Sequence, residues 1–165
     1  MPDENEGDKA APGGISGLAV ADWARIERPS LGDAAPVLAF RAVRLGALGS
    51  VAGAGLSGAV YLAGRKWARD LTFATLPDIF RTMTELRLGI PHLIGQTPDQ
   101  MEIEIAETLS AAGLPNVGEA LCHLEAGFLA GALGGLTGQK ILVRETGCWG
   151  LGQQTCRFIA RIERR

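Results

Sequence analysis

Ile141-Leu-Val-Arg-Glu-Thr-Gly-Cys-Trp-Gly-Leu-Gly-Gln-Gln-Thr-Cys-Arg-Phe-Ile-Ala-Arg-Ile162 decides how the rest of the chain is read. Its two ends alternate apolar and polar residues, the period of a strand with one buried face. Residues 140–145 form one strand, residues 154–163 the next, and the glycine-rich residues 146–153 the turn between them. On the first strand Ile141, Val143 and Glu145 share a face. On the second, Cys156, Phe158, Ala160 and Ile162 share a face, with Arg157, Arg161 and Glu163 opposite. The hairpin therefore turns Glu145 and Cys156 to the same side. An inward glutamate beside thiols is poor packing, because an unpaired buried carboxylate is costly.

Upstream, Asn116 followed by Glu119 fits a helix N-cap with its partner three residues on. That signal predicts a helix to about residue 133, where Gly134-Gly135 stops it, with Cys122 early on it. Met101-Glu-Ile-Glu-Ile105 alternates strictly and pairs with a short strand over residues 92–96 across the turn Thr97-Pro98-Asp99. Before that the period is helical. Pro36 opens one helix, residues 50–69 form a second, and Thr75 caps a third that Gly89 ends. Helices followed by hairpin, helix and hairpin make an α+β chain: N-terminal helices packed on one face of a four-stranded antiparallel sheet. Residues 1–34, with repeated proline and glycine, read as a weakly ordered tail, ordered only around residues 18–26. Residues 35–165 read as a single domain.

The net charge of −2 offers no basic field for a polyanion, which argues against nucleic acid as a partner. Acids crowd the first ten residues, so the start does not read as a secretory signal. The expectation is a cytoplasmic protein with reduced thiols, or one resting at a membrane surface. Three cysteines cannot all pair, which favours metal binding over disulfides. Cys122, Glu145, Cys148 and Cys156 supply three thiolates and a carboxylate, a donor set suited to tetrahedral zinc. Four protein ligands leave no open position, so such a zinc is structural. Buried packing is the plainer reading of three cysteines. His123 is an alternative ligand, about 100° around the helix from Cys122.

The runs Cys122-His-Leu-Glu-Ala-Gly-Phe-Leu-Ala-Gly, Val143-Arg-Glu-Thr-Gly-Cys-Trp-Gly-Leu-Gly and Cys156-Arg-Phe resemble the 4-vinyl reductase domain family. That family is named for the bacteriochlorophyll biosynthesis protein BchJ. It is similar in fold to TRAPP subunits and to the sensor domains of aromatic-responsive regulators. The resemblance spans roughly residues 36–163. It implies zinc on Cys122, Glu145, Cys148 and Cys156, and a pocket for a small hydrophobic molecule between helices and sheet. It also implies a homodimer formed through the N-terminal helices. It further implies a binding or carrier protein for a tetrapyrrole intermediate of bacteriochlorophyll synthesis, working beside pigment-biosynthesis enzymes. A vinyl reductase proper is the alternative, and a sensor or assembly scaffold without catalysis is another. No nucleophile–base pair stands out, which favours binding over catalysis.

The scarce large side chains are the pocket candidates: Phe40, Tyr61, Trp67, Phe73, Phe80 and Phe128, joined by His92 as a contact to the ligand or to the magnesium of a tetrapyrrole. Gly53-Ala-Gly-Leu-Ser-Gly58 satisfies G-x-G-x-x-G, but it lacks the strand before it that a dinucleotide site requires. Residues 45–64 carry no charge, yet glycine and alanine dominate them. They read as a buried helix crossed closely by another at Gly46, Gly49, Gly53 and Gly58, not as a transmembrane span.

Overall fold

The computed structural model describes residues 14–49 and 55–163. Strands β1 (Ile90–Thr97), β2 (Gln100–Ala106), β3 (Ile141–Gly147) and β4 (Cys156–Ile162) form one antiparallel sheet in the order β1-β2-β4-β3. The register pairs Ile103 with Phe158, Ile105 with Cys156 and Val143 with Ala160. These residues are all buried and make up the covered face. The period-two expectation therefore holds on both hairpins.

The helices are α1 (Val20–Trp23), α2 (Ala34–Arg41), α3 (Gly55–Arg69), α4 (Leu76–Glu85) and α5 (His123–Thr137). Helix α2 continues as a π-helical stretch, Ala42–Leu48. Thr75 caps α4 as its sequence predicts, accepting a hydrogen bond from the Asp78 N–H at 3.3 Å. Helix α5 lies against the sheet, and α3 packs over α5. Every residue from Glu125 to Leu133 is buried. A helix apolar all round is a core helix, and α5 forms the centre of the domain.

Three expectations are corrected. Asn116 does not cap a helix; its Oδ1 accepts from the Gly118 N–H at 2.9 Å in a local turn. The Val117 and Glu119 N–H groups donate to the Gly150 carbonyl, which holds residues 117–119 against the β3–β4 turn. The helix therefore starts at His123, with Cys122 at the N-cap. At its other end α5 passes through Gly134-Gly135 and stops at Gly138, which adopts φ 68°. Tertiary packing carries the helix through two poor helix formers, and a left-handed glycine ends it.

The glycines that admit a second helix also differ from those expected. Gly49 has only a local backbone neighbour and Gly58 has open space, while Gly46 accommodates the Trp23 ring. Gly53 lies outside the described residues. The close approach is made instead by Gly64 of α3 and by Gly127 and Gly131 of α5. A Cβ on Gly127 would stand 2.1 Å from the Tyr61 carbonyl oxygen, and one on Gly131 2.2 Å from that of Arg65.

Within the first 34 residues, ordering also extends past residues 18–26. The Arg28 side chain is buried and donates to the carbonyls of Glu107 at 3.0 Å and Arg87 at 2.5 Å. The Glu107 carboxylate accepts from the Ser30 and Leu31 N–H groups. These anchors join residues some 59 to 79 apart, so no local period reveals them. Among the described residues no helix is long and apolar enough to cross a membrane.

Candidate metal centre

Cys122 at the start of α5, Glu145 on β3, Cys148 in the following turn and Cys156 at the start of β4 converge. One potential ligand atom from each lies within 4.8 Å of every other. The Sγ separations are 3.3 Å for Cys122–Cys156, 3.7 Å for Cys148–Cys156 and 4.0 Å for Cys122–Cys148. A tetrahedral zinc with bonds of about 2.3 Å spaces its sulfurs by about 3.8 Å. The triangle of sulfurs therefore already has the dimensions of one face of a zinc tetrahedron.

The fourth position belongs to Glu145. Its Oε2 accepts from the Cys122 N–H at 3.0 Å, which satisfies an otherwise free donor at the helix start. Its Oε1 is buried and has no partner. An orphaned carboxylate oxygen beside three thiols is costly unless a cation takes it. His123 stays outside this group. Burial, then the charge of Arg44, holds its pKa below the ordinary value.

The surroundings include groups that carry no local sequence signal. Thr108 is fully buried, and its hydroxyl lies 3.4 Å from Cys156 Sγ. The Cys148 N–H donates to Gln153 Oε1 at 2.8 Å. Such outer partners orient metal ligands. Thr108→Val keeps the shape and removes the hydroxyl. It is expected to weaken zinc binding about tenfold. Competition against a colorimetric chelator measures this, and an unchanged affinity would reduce Thr108 to packing.

Electrostatics point the same way. Burial first, then the charge of Cys148, pushes the Glu145 carboxyl up to about 9, from an ordinary 4.5. Burial raises the Cys122 thiol well above its usual value too. A divalent ion reverses that balance, because it favours the anionic form of each ligand. The folded, chelator-stripped protein holds the Glu145 proton more tightly than the unfolded chain does. Hydrogen bonds from Cys122 and Cys148 pull the Cys156 thiol the opposite way, from 9 down to about 5, so the two groups' contributions to stability oppose each other between about 5 and 9 and a small net pH dependence is expected. Zinc affinity is expected to rise over the same window, since ligands must shed protons to bind. Melting curves from pH 5 to 9 should therefore be close to flat without zinc and rise with it.

The pocket candidates do not all come together. Trp67 meets the Phe128 ring edge-on at 5.2 Å, and Phe73 meets it at 6.4 Å. Phe80 is partly buried against the same core. Tyr61 on α3 reaches the sheet, where its hydroxyl accepts from the Val143 N–H at 3.1 Å. Phe40 is half-buried on α2. His92 is exposed and pairs across the strands with Glu104, between the inward residues Ile103 and Ile105. It thus lies on the open face of the sheet, away from the aromatic cluster, because a strand turns alternate residues outward. Two clefts with apolar walls open elsewhere, besides a shallower, largely charged one of about 540 Å³ on α3 lined by Leu62, Arg65, Lys66, Arg69 and Asp70. One of about 240 Å³ lies beside the metal centre, between the π-helical stretch, α3 and the residues around Leu121. The other, of about 230 Å³, lies at the β1–β2 turn, where Met101, Leu133 and Ile141 line it.

Residues 101–162 match the model of the V-4-R (vinyl-4-reductase) domain. Over 132 residues the chain is 34 % identical to the protein MJ1642 of Methanocaldococcus jannaschii, covering 80 % of this chain and 81 % of that one. This chain belongs to the vinyl-4-reductase domain family. A second relative from the same organism, MJ0150, is 31 % identical over 140 residues, covering 81 % and 80 % of the two chains. Among solved structures, the fold of this family member is similar to the phenol-responsive sensory domain of the transcription activator PoxR, solved with phenol. That match has a TM-score of 0.61 at 17 % identity, covering 76 % of this chain and 74 % of that one. A vinyl-4-reductase family protein from Methanocaldococcus jannaschii gives 0.55 at 15 % identity, covering 78 % and 81 %. Subunit 3 of a trafficking protein particle complex from Naegleria fowleri, covalently bound to palmitic acid, gives 0.58 at 13 % identity, covering 78 % and 93 %.

Proposed function

We propose that this vinyl-4-reductase domain is a zinc-stapled binding module for a small, largely apolar molecule. The observation that carries the zinc is the sulfur triangle completed by the partnerless Glu145 oxygen. Four protein ligands close the shell, so the metal joins the start of α5 to the β3–β4 hairpin and performs no chemistry. Binding rests on the family, on the phenol held by the PoxR domain, and on the cleft whose wall includes Leu121 and His123, the neighbours of the metal ligand Cys122.

Both clefts fall below the roughly 300 to 1,000 Å³ usual for drug-sized ligands. That size favours a one-ring molecule over the tetrapyrrole that the family resemblance implies. A pigment carrier or vinyl reductase would need the helices to part. Exposed Val20, Val43, Leu48 and Leu62 along the N-terminal helices support pairing of two copies there.

Elemental analysis and a thermal-shift panel test the proposal. About one zinc per chain and stabilisation by phenol-sized molecules are expected. Less than half a zinc, or no response to any small aromatic, would contradict it. Absorbance titration with a magnesium porphyrin separates the larger ligand class.

A further inference from the structure

The cleft beside the metal centre has a buried arginine in its wall. Among the described residues the buried charged side chains are Arg28, Arg41, Arg44 and Glu125. Arg28 is served by the carbonyls of Glu107 and Arg87, and Arg41 by those of Arg25 at 2.9 Å and Ala112 at 2.6 Å. Glu125 takes the N–H and hydroxyl of Ser110 on its two oxygens at 2.9 and 2.8 Å and feels Arg44 as a nearby charge, with no hydrogen bond between them among the described residues. Arg44 alone of the three lines the cleft. It is 6 % exposed, and its Nε, like that of Arg41, has no hydrogen-bond partner among the described residues. A buried guanidinium without full hydrogen bonding is expensive. It also sits in a π-helical stretch, a rare distortion that is frequent at functional sites.

Leu45, Leu56 and Leu121 supply apolar wall around Arg44, and Ser57 adds a hydroxyl. Glu119 also lines the cleft and is exposed. It would repel a second negative charge on an occupant. From this arrangement we infer that the cleft takes a small monocarboxylate with an apolar body, its carboxylate against Arg44. Guanidinium and carboxylate match as a planar, charge-assisted pair, and the leucines cover the remainder. A phosphate dianion suits the site less well, because one guanidinium and one hydroxyl underserve it and Glu119 opposes it. The inference rests on the proposed small-molecule function and names the ligand class.

The test uses the full chain loaded with zinc and four probes: benzoate, benzamide, phenol and inorganic phosphate. Calorimetry is expected to give benzoate at least about tenfold tighter than benzamide or phosphate, the range of a charge-assisted hydrogen bond. Arg44→Met is expected to lose at least about tenfold for benzoate, with benzamide changed less than about threefold and zinc content unaltered. Equal affinity for benzoate and benzamide overturns the inference, as does tighter phosphate binding or full benzoate affinity in Arg44→Met. Should Arg44→Met fail to fold, Leu56→Trp fills the cleft from its partly exposed wall. It is expected to abolish benzoate binding, and retained binding overturns the inference. Binding of phenol or benzamide without preference for benzoate refutes the carboxylate and leaves the small-molecule function standing. Silence from all four probes refutes both.

Discussion

Cys156→Ser is expected to release the zinc and lower Tm by about 6–20 °C. Cys156 is the hub of the sulfur triangle, closest to Cys122 and also near Cys148. Serine offers zinc a poor ligand, and three remaining donors hold a structural ion weakly. Structural zinc supplies about 10–16 kcal/mol to peptides that fold only with metal. Here a sheet and a buried helix stand largely on apolar packing, so a smaller loss of about 3–5 kcal/mol is expected, near the range for breaking a buried network. For a chain of this size each kcal/mol moves Tm by about 2–4 °C.

Packing alone predicts a different pattern. If the three thiols only filled space, Cys156→Ala would cost roughly 1 kcal/mol, and a chelator would leave the wild type unmoved. The metal centre predicts that 1,10-phenanthroline brings the wild-type Tm down to that of Cys156→Ser, while the variant itself does not respond. A variant that keeps one zinc per chain, or a wild type indifferent to chelation, defeats the site.

How much of this centre is legible in the sequence follows from the range of each interaction. Glu145 and Cys156 are readable because strand alternation is local and fixes the face of every second residue. Cys148 follows from lying in the turn between them. Cys122 is placed on the right element, but the helix starts later than its sequence suggests. Asn116 and Glu119 look like a capping pair, whereas the β3–β4 turn captures that backbone through the Gly150 carbonyl. Thr108 is invisible for a similar reason: its proximity to Cys156 depends on 48 residues of intervening fold. Arg44 carries no signal either, since a helical arginine among apolar neighbours usually reaches solvent. The close helix crossing is anticipated, but on different glycines. Composition says that small residues permit contact; only the packed α3–α5 pair says which ones.

Those glycines carry the second large effect. Gly127→Ala is expected to destabilise the domain by about 3 kcal/mol or more, and Gly131→Ala by a similar amount. Two terms compete. Alanine improves an interior helical site by up to about 1 kcal/mol relative to glycine. Against that, the new methyl at residue 127 would sit 2.1 Å from the Tyr61 carbonyl oxygen, well inside any real contact. Because the obstacle is backbone, no rotamer change relieves it, and α3 must move away from α5. Separation would strip packing from Gly64 and from the Trp67 and Phe128 rings, and strain Tyr61's hydrogen bond to β3. Overpacking that forces backbone shifts costs about 1–3 kcal/mol, and two helices moving together exceed the single-residue case. Gly135→Ala is the control. It lies on the same helix, is exposed, and has nothing within 4 Å of where a Cβ would stand. Propensity acts alone there, and a gain of about 0.5–1 kcal/mol is expected. Urea melts of Gly127→Ala and Gly135→Ala should therefore shift in opposite directions. A stabilised Gly127→Ala would mean that α3 does not press on α5 as closely as Tyr61 and Gly127 require.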